Sequence, residues 1–133
     1  MNDDRFKDWK YPEFDENGYT KWHWFCQHHQ NLKLGFKTDI GAFTYINAKF
    51  GVEIEDFVQI GSHCAIYSYS SIDEKKGKVH IKKNARIGSH SVILPNITIG
   101  ENAIVGAGAV VTKSVPDNAL AVGIPAKVKK YIK

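Results

Sequence analysis

Aliphatic residues recur along this chain at a spacing of six. From Leu34 they fall at Leu34, Ile40, Ile46, Ile54, Ile60, Ile66, Ile72, Ile81, Ile87, Ile93, Ile99, Val105 and Val111, with longer steps after Ile46 and after Ile72. The next residue is often Gly or Asn, as at Gly35, Gly41, Asn47, Gly61, Gly88, Gly100 and Gly106, and the fifth is small or β-branched, as at Thr44, Val58, Cys64, Ala85, Ser91, Ala103 and Ala109. Neither a helical stripe nor a long two-residue alternation gives this pattern. It predicts short strands joined by tight corners, with the first and fifth residues inward and the second-position Gly or Asn supplying unusual torsions. Three units close a triangular coil, and stacked coils bury a continuous aliphatic column. The expectation is an all-β parallel β-helix over residues 34–116, of about four coils and a fraction, rising about 4.8 Å per coil. A loop insertion is expected at 73–80, a capping segment at 1–33 and a basic tail at 117–133. Trp9, Trp22, Trp24 and Phe25 are expected to cover the open first coil, because a bare strand edge invites pairing.

Composition narrows the class. Of 133 residues, 43% are hydrophobic and 24% charged, the proportions of an ordinary globular protein. Two cysteines, Cys26 and Cys64, with no CxxC pair, make no disulfide framework. The start, MNDDRFKDWK, has no apolar h-region, and no run is long enough to span a bilayer, so a cytoplasmic location is expected. The net charge of +4 collects near the C-terminus, at Lys113, Lys127, Lys129, Lys130 and Lys133. That clustering suits a small phosphorylated ligand, or a plain solvated tail, more than nucleic acid.

The hexads closely resemble the hexapeptide-repeat acyltransferases from Leu34 to the end, above all in ITIGENAIVGAGAVVTKSVPDNALAVGIPAKVKK at Ile97 to Lys130. The resemblance implies a left-handed β-helix, an exception to the right-handed crossover rule. It also implies acetyl-CoA as co-substrate and a homotrimer with active sites between subunits. Galactoside-type members contact the cofactor through a Ser and an Ala that match Ser89 and Ala107, and through a Thr-Lys pair that matches Thr112 and Lys113. Two Arg of their closing motif align with Lys127 and Lys130, which keep the charge for the cofactor phosphates but lose bidentate geometry. His90 and Gly106 neighbour this set. Counting units, Ala48, Ser68, Ser89 and Ala107 are expected to stack as one corner column. Such a column either leaves a groove for the pantetheine arm or packs against a partner subunit.

Acetyl transfer needs an uncharged nucleophile, a base and an oxyanion donor. The galactoside-type base aligns with Ser71, which has no useful basicity at neutral pH. His23, His28 and His29 lie outside the hexads and read as capping or surface residues, and His80 as an exposed end of the insertion. The tetrapeptide IGSH occurs twice, ending at His63 and His90. Counted four units apart, the copies are expected at different corners, with His90 in the cofactor groove and His63 reaching across the subunit interface as general base. A structural His63, with the substrate amine shedding its own proton, stays open. Asn47, Tyr67, Tyr69, Ser71 and Asp73 are the candidate acceptor contacts, each with a plainer corner, packing or loop role.

The expected reaction moves acetyl from acetyl-CoA to a sugar acceptor. The amino group of a nucleotide-linked amino sugar, in surface-polysaccharide biosynthesis, is placed ahead of a sugar or glycan hydroxyl. A γ-type carbonic anhydrase needs three histidines converging at an interface, a spacing this chain does not show. A non-catalytic scaffold would leave the Ala107, Thr112, Lys113 pattern unexplained. No metal and no nucleic-acid partner are expected.

Overall fold

A computed structural model describes residues 6–132. The chain winds through about five coils of a parallel β-solenoid with three flat faces. Face A stacks Phe25–Gln27, Tyr45–Asn47, Ala65–Tyr67, Val92–Ile93 and Val110–Val111. Face B stacks Leu32–Leu34, Val52–Ile54, Val79–Ile81 and Thr98–Ile99, and Val115 extends it by a bridge to Ile99. Face C stacks Asp39–Ile40, Gln59–Ile60, Arg86–Ile87, Ile104–Val105 and Ala119–Val122. Strands of two to four residues suffice because each is hydrogen-bonded to the coils above and below.

The inward aliphatic column is as the period predicts. Ile46, Ile66, Ile81, Ile93 and Ile99 have no exposed surface, and neither do Val58, Ala85, Ala103 and Ala109 at the fifth position. Each buried Ile contributes about 1.5–3 kcal/mol. The corners correct the expectation. The left-handed torsion falls on the fourth residue of a unit, at Phe43, Phe57, His63, Asn84, His90 and Asn102, and not on the second-position glycine. Gly61 and Gly88 are glycine for a different reason. A Cβ on Gly61 would lie 2.7 Å from Ser89 N, and one on Gly88 would lie 2.5 Å from Ala107 N. The close approach of successive coils, rather than backbone freedom, selects glycine there.

Three boundaries also differ. The first coil opens at Phe25, paired with Tyr45, ahead of the expected Leu34. The insertion is a hairpin, Tyr69–Ser70 against Lys75–Lys76, and Val79–Ile81 behind it is a buried face-B strand. Ile72, expected to open a unit, is 95% exposed at the hairpin's turn. The expected tail carries a strand, Lys127–Tyr131, that pairs antiparallel with Ala119–Val122 and covers the last edge of face C. At the other end Trp24 is buried with Phe14 packed edge-on at 5.4 Å, and the Trp9 indole N–H donates to Thr38 O at 2.8 Å. Trp22 of the expected cap is exposed. No helix among the described residues is long and apolar enough to cross a membrane.

Candidate active site

The corner between faces C and A carries the repeated tetrapeptide. Ile60 pairs with Ile87, and Ile87 with Val105, so Gly61-Ser62-His63, Gly88-Ser89-His90 and Gly106-Ala107-Gly108 stand one above another. Each left-handed residue donates its N–H to the coil below: His63 N to Ala42 O at 3.0 Å, His90 N to Ser62 O at 3.1 Å, and Gly108 N to Ser89 O at 2.9 Å. The side chains therefore project in file, and the rings stack. His23 and Phe43 lie 6.3 Å apart, Phe43 and His63 5.1 Å, and His63 and His90 4.8 Å with planes 6° from parallel.

This geometry overturns two expectations. His63 and His90 share one corner, and Ala48, Ser68, Ser89 and Ala107 are not one column. Ile72 lies in the hairpin turn and opens no unit, so every residue before it sits one face away from its expected position. Ser89 and Ala107 remain together, above Ser62. Ala48 and Ser68 belong to the corner between faces A and B. There Ser68 is fully buried, donating its hydroxyl to Asn47 O at 2.7 Å and accepting Phe50 N–H at 3.0 Å. It pins the chain where the hairpin leaves the coil and lines no groove.

Above His90 the ring file stops at Gly108, around which a side chain would meet no atom within 4 Å. Ala107 and Gly108 are exposed and Ser89 half-buried, so only small side chains and backbone cover the corner above His90. The basic strand borders it. Gly106 lies against Val122, whose cross-strand neighbour is Lys127, and Lys130 pairs with Leu120 on the same edge. Thr112 and Lys113 follow the last face-A strand and are exposed. His63, Ser89, His90, Gly106, Ala107 and Lys127 are thus neighbours along this corner and its upper edge.

The acceptor candidates form a second group, around the hairpin. Asn47 is buried and pairs across face A with Tyr67. Its amide donates to the Tyr45 hydroxyl at 3.2 Å and its Oδ1 accepts Lys49 N–H at 3.0 Å. Tyr45 in turn hydrogen-bonds Gln27 and lies 5.6 Å from the Tyr67 ring. Burial pushes the Tyr45 phenol above its usual range. Tyr69 packs on Phe50 at 5.5 Å with the Lys49 ammonium 4.6 Å from its ring. Ser71 and Asp73 are exposed in the hairpin turn, where the Ser70 hydroxyl, helped by Lys75, holds the Asp73 carboxyl below the ordinary range. A separate cavity, between the N-terminal segment and the first coil, is lined by Trp9, Tyr11, Trp22 and Leu34, coils away from Ala107.

His80 is not the exposed end of the insertion that its position suggests. It is half-buried in a face-B strand, in register with Glu53, and among the described residues it is the histidine with carboxylate partners. The signal was present in VEIED and VHIKK, which align once the insertion is placed before Val79.

Known proteins share this architecture. Residues 78–113 match the family described as bacterial transferase hexapeptide (six repeats). The chain belongs to the hexapeptide-repeat transferase family. Among family relatives, the dTDP-3-amino-3,6-dideoxy-alpha-D-galactopyranose 3-N-acetyltransferase of Aneurinibacillus thermoaerophilus is 52% identical over 59 residues, 44% of this chain and 31% of that protein. The galactoside O-acetyltransferase of Lactococcus lactis is 31% identical over 113 residues, 74% of this chain and 55% of that protein. The chain thus spans less than two thirds of the length of these curated relatives. A hexapeptide-repeat acetyltransferase from Vibrio cholerae, solved as its acetyl-CoA complex, superposes with a TM-score of 0.78 at 25% identity, covering 83% of this chain and 65% of that one. The family fold is the left-handed β-helix.

Proposed function

We propose that this protein transfers acetyl from acetyl-CoA to the amino group of a nucleotide-linked amino sugar. The observation that carries the reading is the run of small residues above His90 (Ser89, Ala107 and Gly108), with the basic strand and its Lys127 alongside. In this reading an extended pantetheine arm lies along these small residues, its amides bonded to exposed backbone, with Lys127, Lys130 and Lys113 toward the cofactor's phosphates. Relatives that use acetyl-CoA support the cofactor, and the dTDP-amino-sugar acetyltransferase supports the acceptor class. The galactoside relative keeps a hydroxyl acceptor as the alternative.

In this reading the acceptor nitrogen attacks the thioester carbon, its lone pair forming the N–C bond. The tetrahedral intermediate collapses with cleavage of the C–S bond, and the departing thiolate receives the proton that the base has removed from nitrogen. His63 takes the proton lost by nitrogen. Its ring is exposed, one coil below Ser89, and it meets the acceptor across a homotrimer interface. Asn47, Tyr67, Tyr69, Ser71 and Asp73 contact the acceptor.

A thiol-release assay with acetyl-CoA tests this, run over a panel of dTDP- and UDP-linked amino sugars beside simple glycosides. Release with an amino-sugar nucleotide, and loss of its primary amine, is the expected result. Release only with glycosides would move the acceptor to a hydroxyl, and no release with either would overturn the proposal.

A further inference from the structure

Face B carries a side-chain cluster that acyl transfer does not use. Glu53 and His80 are cross-strand neighbours on adjacent coils, and Glu55 follows two residues after Glu53, on the same side of the chain. His80 Nε2 lies 2.5 Å from Glu55 Oε2 and 3.9 Å from Glu53 Oε2, and one donor atom from each of the three residues lies within 4.8 Å of the others.

We propose that Glu53, Glu55 and His80 form a binding site for a divalent cation of the zinc class. The second oxygen of each carboxylate is already held. Glu53 Oε1 accepts the Lys78 ammonium at 2.8 Å, and Glu55 Oε1 accepts Lys83 N–H at 3.1 Å. The Oε2 atoms are left directed at the imidazole. Outer partners of this kind fix ligand orientation in protein metal sites.

A tetrahedral ion with bonds of about 2.1 Å sets its ligands about 3.4 Å apart. That lies between the two His80 distances, so side-chain rotations of roughly an ångström seat the ion. One imidazole nitrogen with two carboxylates favours zinc over magnesium or calcium, which prefer all-oxygen shells. The two carboxylates are faced by the Lys78 ammonium and, on the neighbouring coil, by Lys33 in register with Glu53. The side chains are 22%, 34% and 27% exposed, open to an ion yet partly shielded from water. Three protein ligands leave the fourth position for water. Because Val79–Ile81 is the strand by which the chain re-enters the coil after the hairpin, a bound ion would clasp that re-entry point to the coil below.

The test is calorimetric titration of the chelator-treated protein with Zn(II), with Co(II) absorption reporting geometry. One equivalent is expected, with micromolar affinity or better and a raised melting temperature. His80→Gln and Glu55→Gln should each weaken binding by at least about tenfold. Both keep a hydrogen-bonding side chain, and their circular dichroism should match the parent. His28→Ala with His29→Ala should leave binding unchanged. Absence of binding, binding that survives His80→Gln, or binding lost with His28 and His29 would each overturn the site. None of these readouts depends on acetyl transfer.

Discussion

The imidazole rings of His63 and His90 stack nearly parallel, 4.8 Å apart, on successive coils of one corner. Each ring borrows its position from the left-handed torsion of its own residue and from the ring beneath it. The two side chains therefore hold each other in place while occupying different heights along the corner.

That arrangement separates their mutants. If His63 is the base, His63→Ala should lower the rate of thiol release by about 10²-fold or more, with little change in KM for acetyl-CoA. His90→Ala should act mainly on KM for acetyl-CoA, because it removes the ring directly beneath Gly108 and beside Ser89. A His63→Ala rate within about threefold of the parent would return proton removal to the acceptor amine.

Gly88→Ala and Gly108→Ala should behave oppositely. The new methyl on Gly88 would press on Ala107 N at 2.5 Å, and backbone cannot yield without parting two coils. A loss of more than about 2 kcal/mol is expected, read as a melting-temperature drop of roughly 10 °C. Gly108 has open space around it, and its φ of +74° costs an alanine about 1 kcal/mol. The Gly108 variant should melt within roughly 5 °C of the parent yet show a raised KM for acetyl-CoA.

Lys127→Gln and Lys130→Gln test the phosphate edge. Each exposed charge should contribute up to about 1 kcal/mol, roughly fivefold in affinity, and less at high salt. Calorimetry with coenzyme A and with its 3′-dephospho form should show the parent's preference for the phosphorylated ligand shrinking in the double variant.

The two thiols supply a pH test. Burial pushes Cys26 up to about 12 and raises Cys64 as well. Both should resist alkylation at pH 8 in the folded protein and react as two equivalents in denaturant. An unfolded thiol ionises near pH 9 while folded Cys26 stays protonated, so above pH 9 the folded state holds more protons. Stability is then complete below pH 9 and declines as pH rises toward 12, by up to about 1.4 kcal/mol per unit for Cys26. Urea midpoints at pH 8, 9.5 and 10.5 should fall in the parent, and Cys26→Ala should flatten the trend.

Most of the coil was legible because burial of an aliphatic residue every sixth position leaves a periodic trace. Ile46, Ile66, Ile81, Ile93 and Ile99 point inward as read. What the period does not encode is where an interruption begins. Ile72 has the right residue type at the right spacing, yet it sits in solvent, because a hairpin is held by its own cross-strand bonds and owes nothing to the column. That one miscounted unit separated His63 from His90, joined Ser68 to Ser89, and hid the alignment of Glu53 with His80. Ser89 and Ala107 escaped the error, since no interruption lies between them.

The hairpin also bears on how such a chain can change. Face-A pairing resumes above it, Ala65 opposite Val92 and Ile66 opposite Ile93, as though nothing had intervened. Register is dictated by the neighbouring coils and not by the length of the path between them, so this corner works like a splice point. Residues can be added or withdrawn there without disturbing the stacking of the other coils, so under the proposed function acceptor contacts can diversify while the small-residue corner stays fixed.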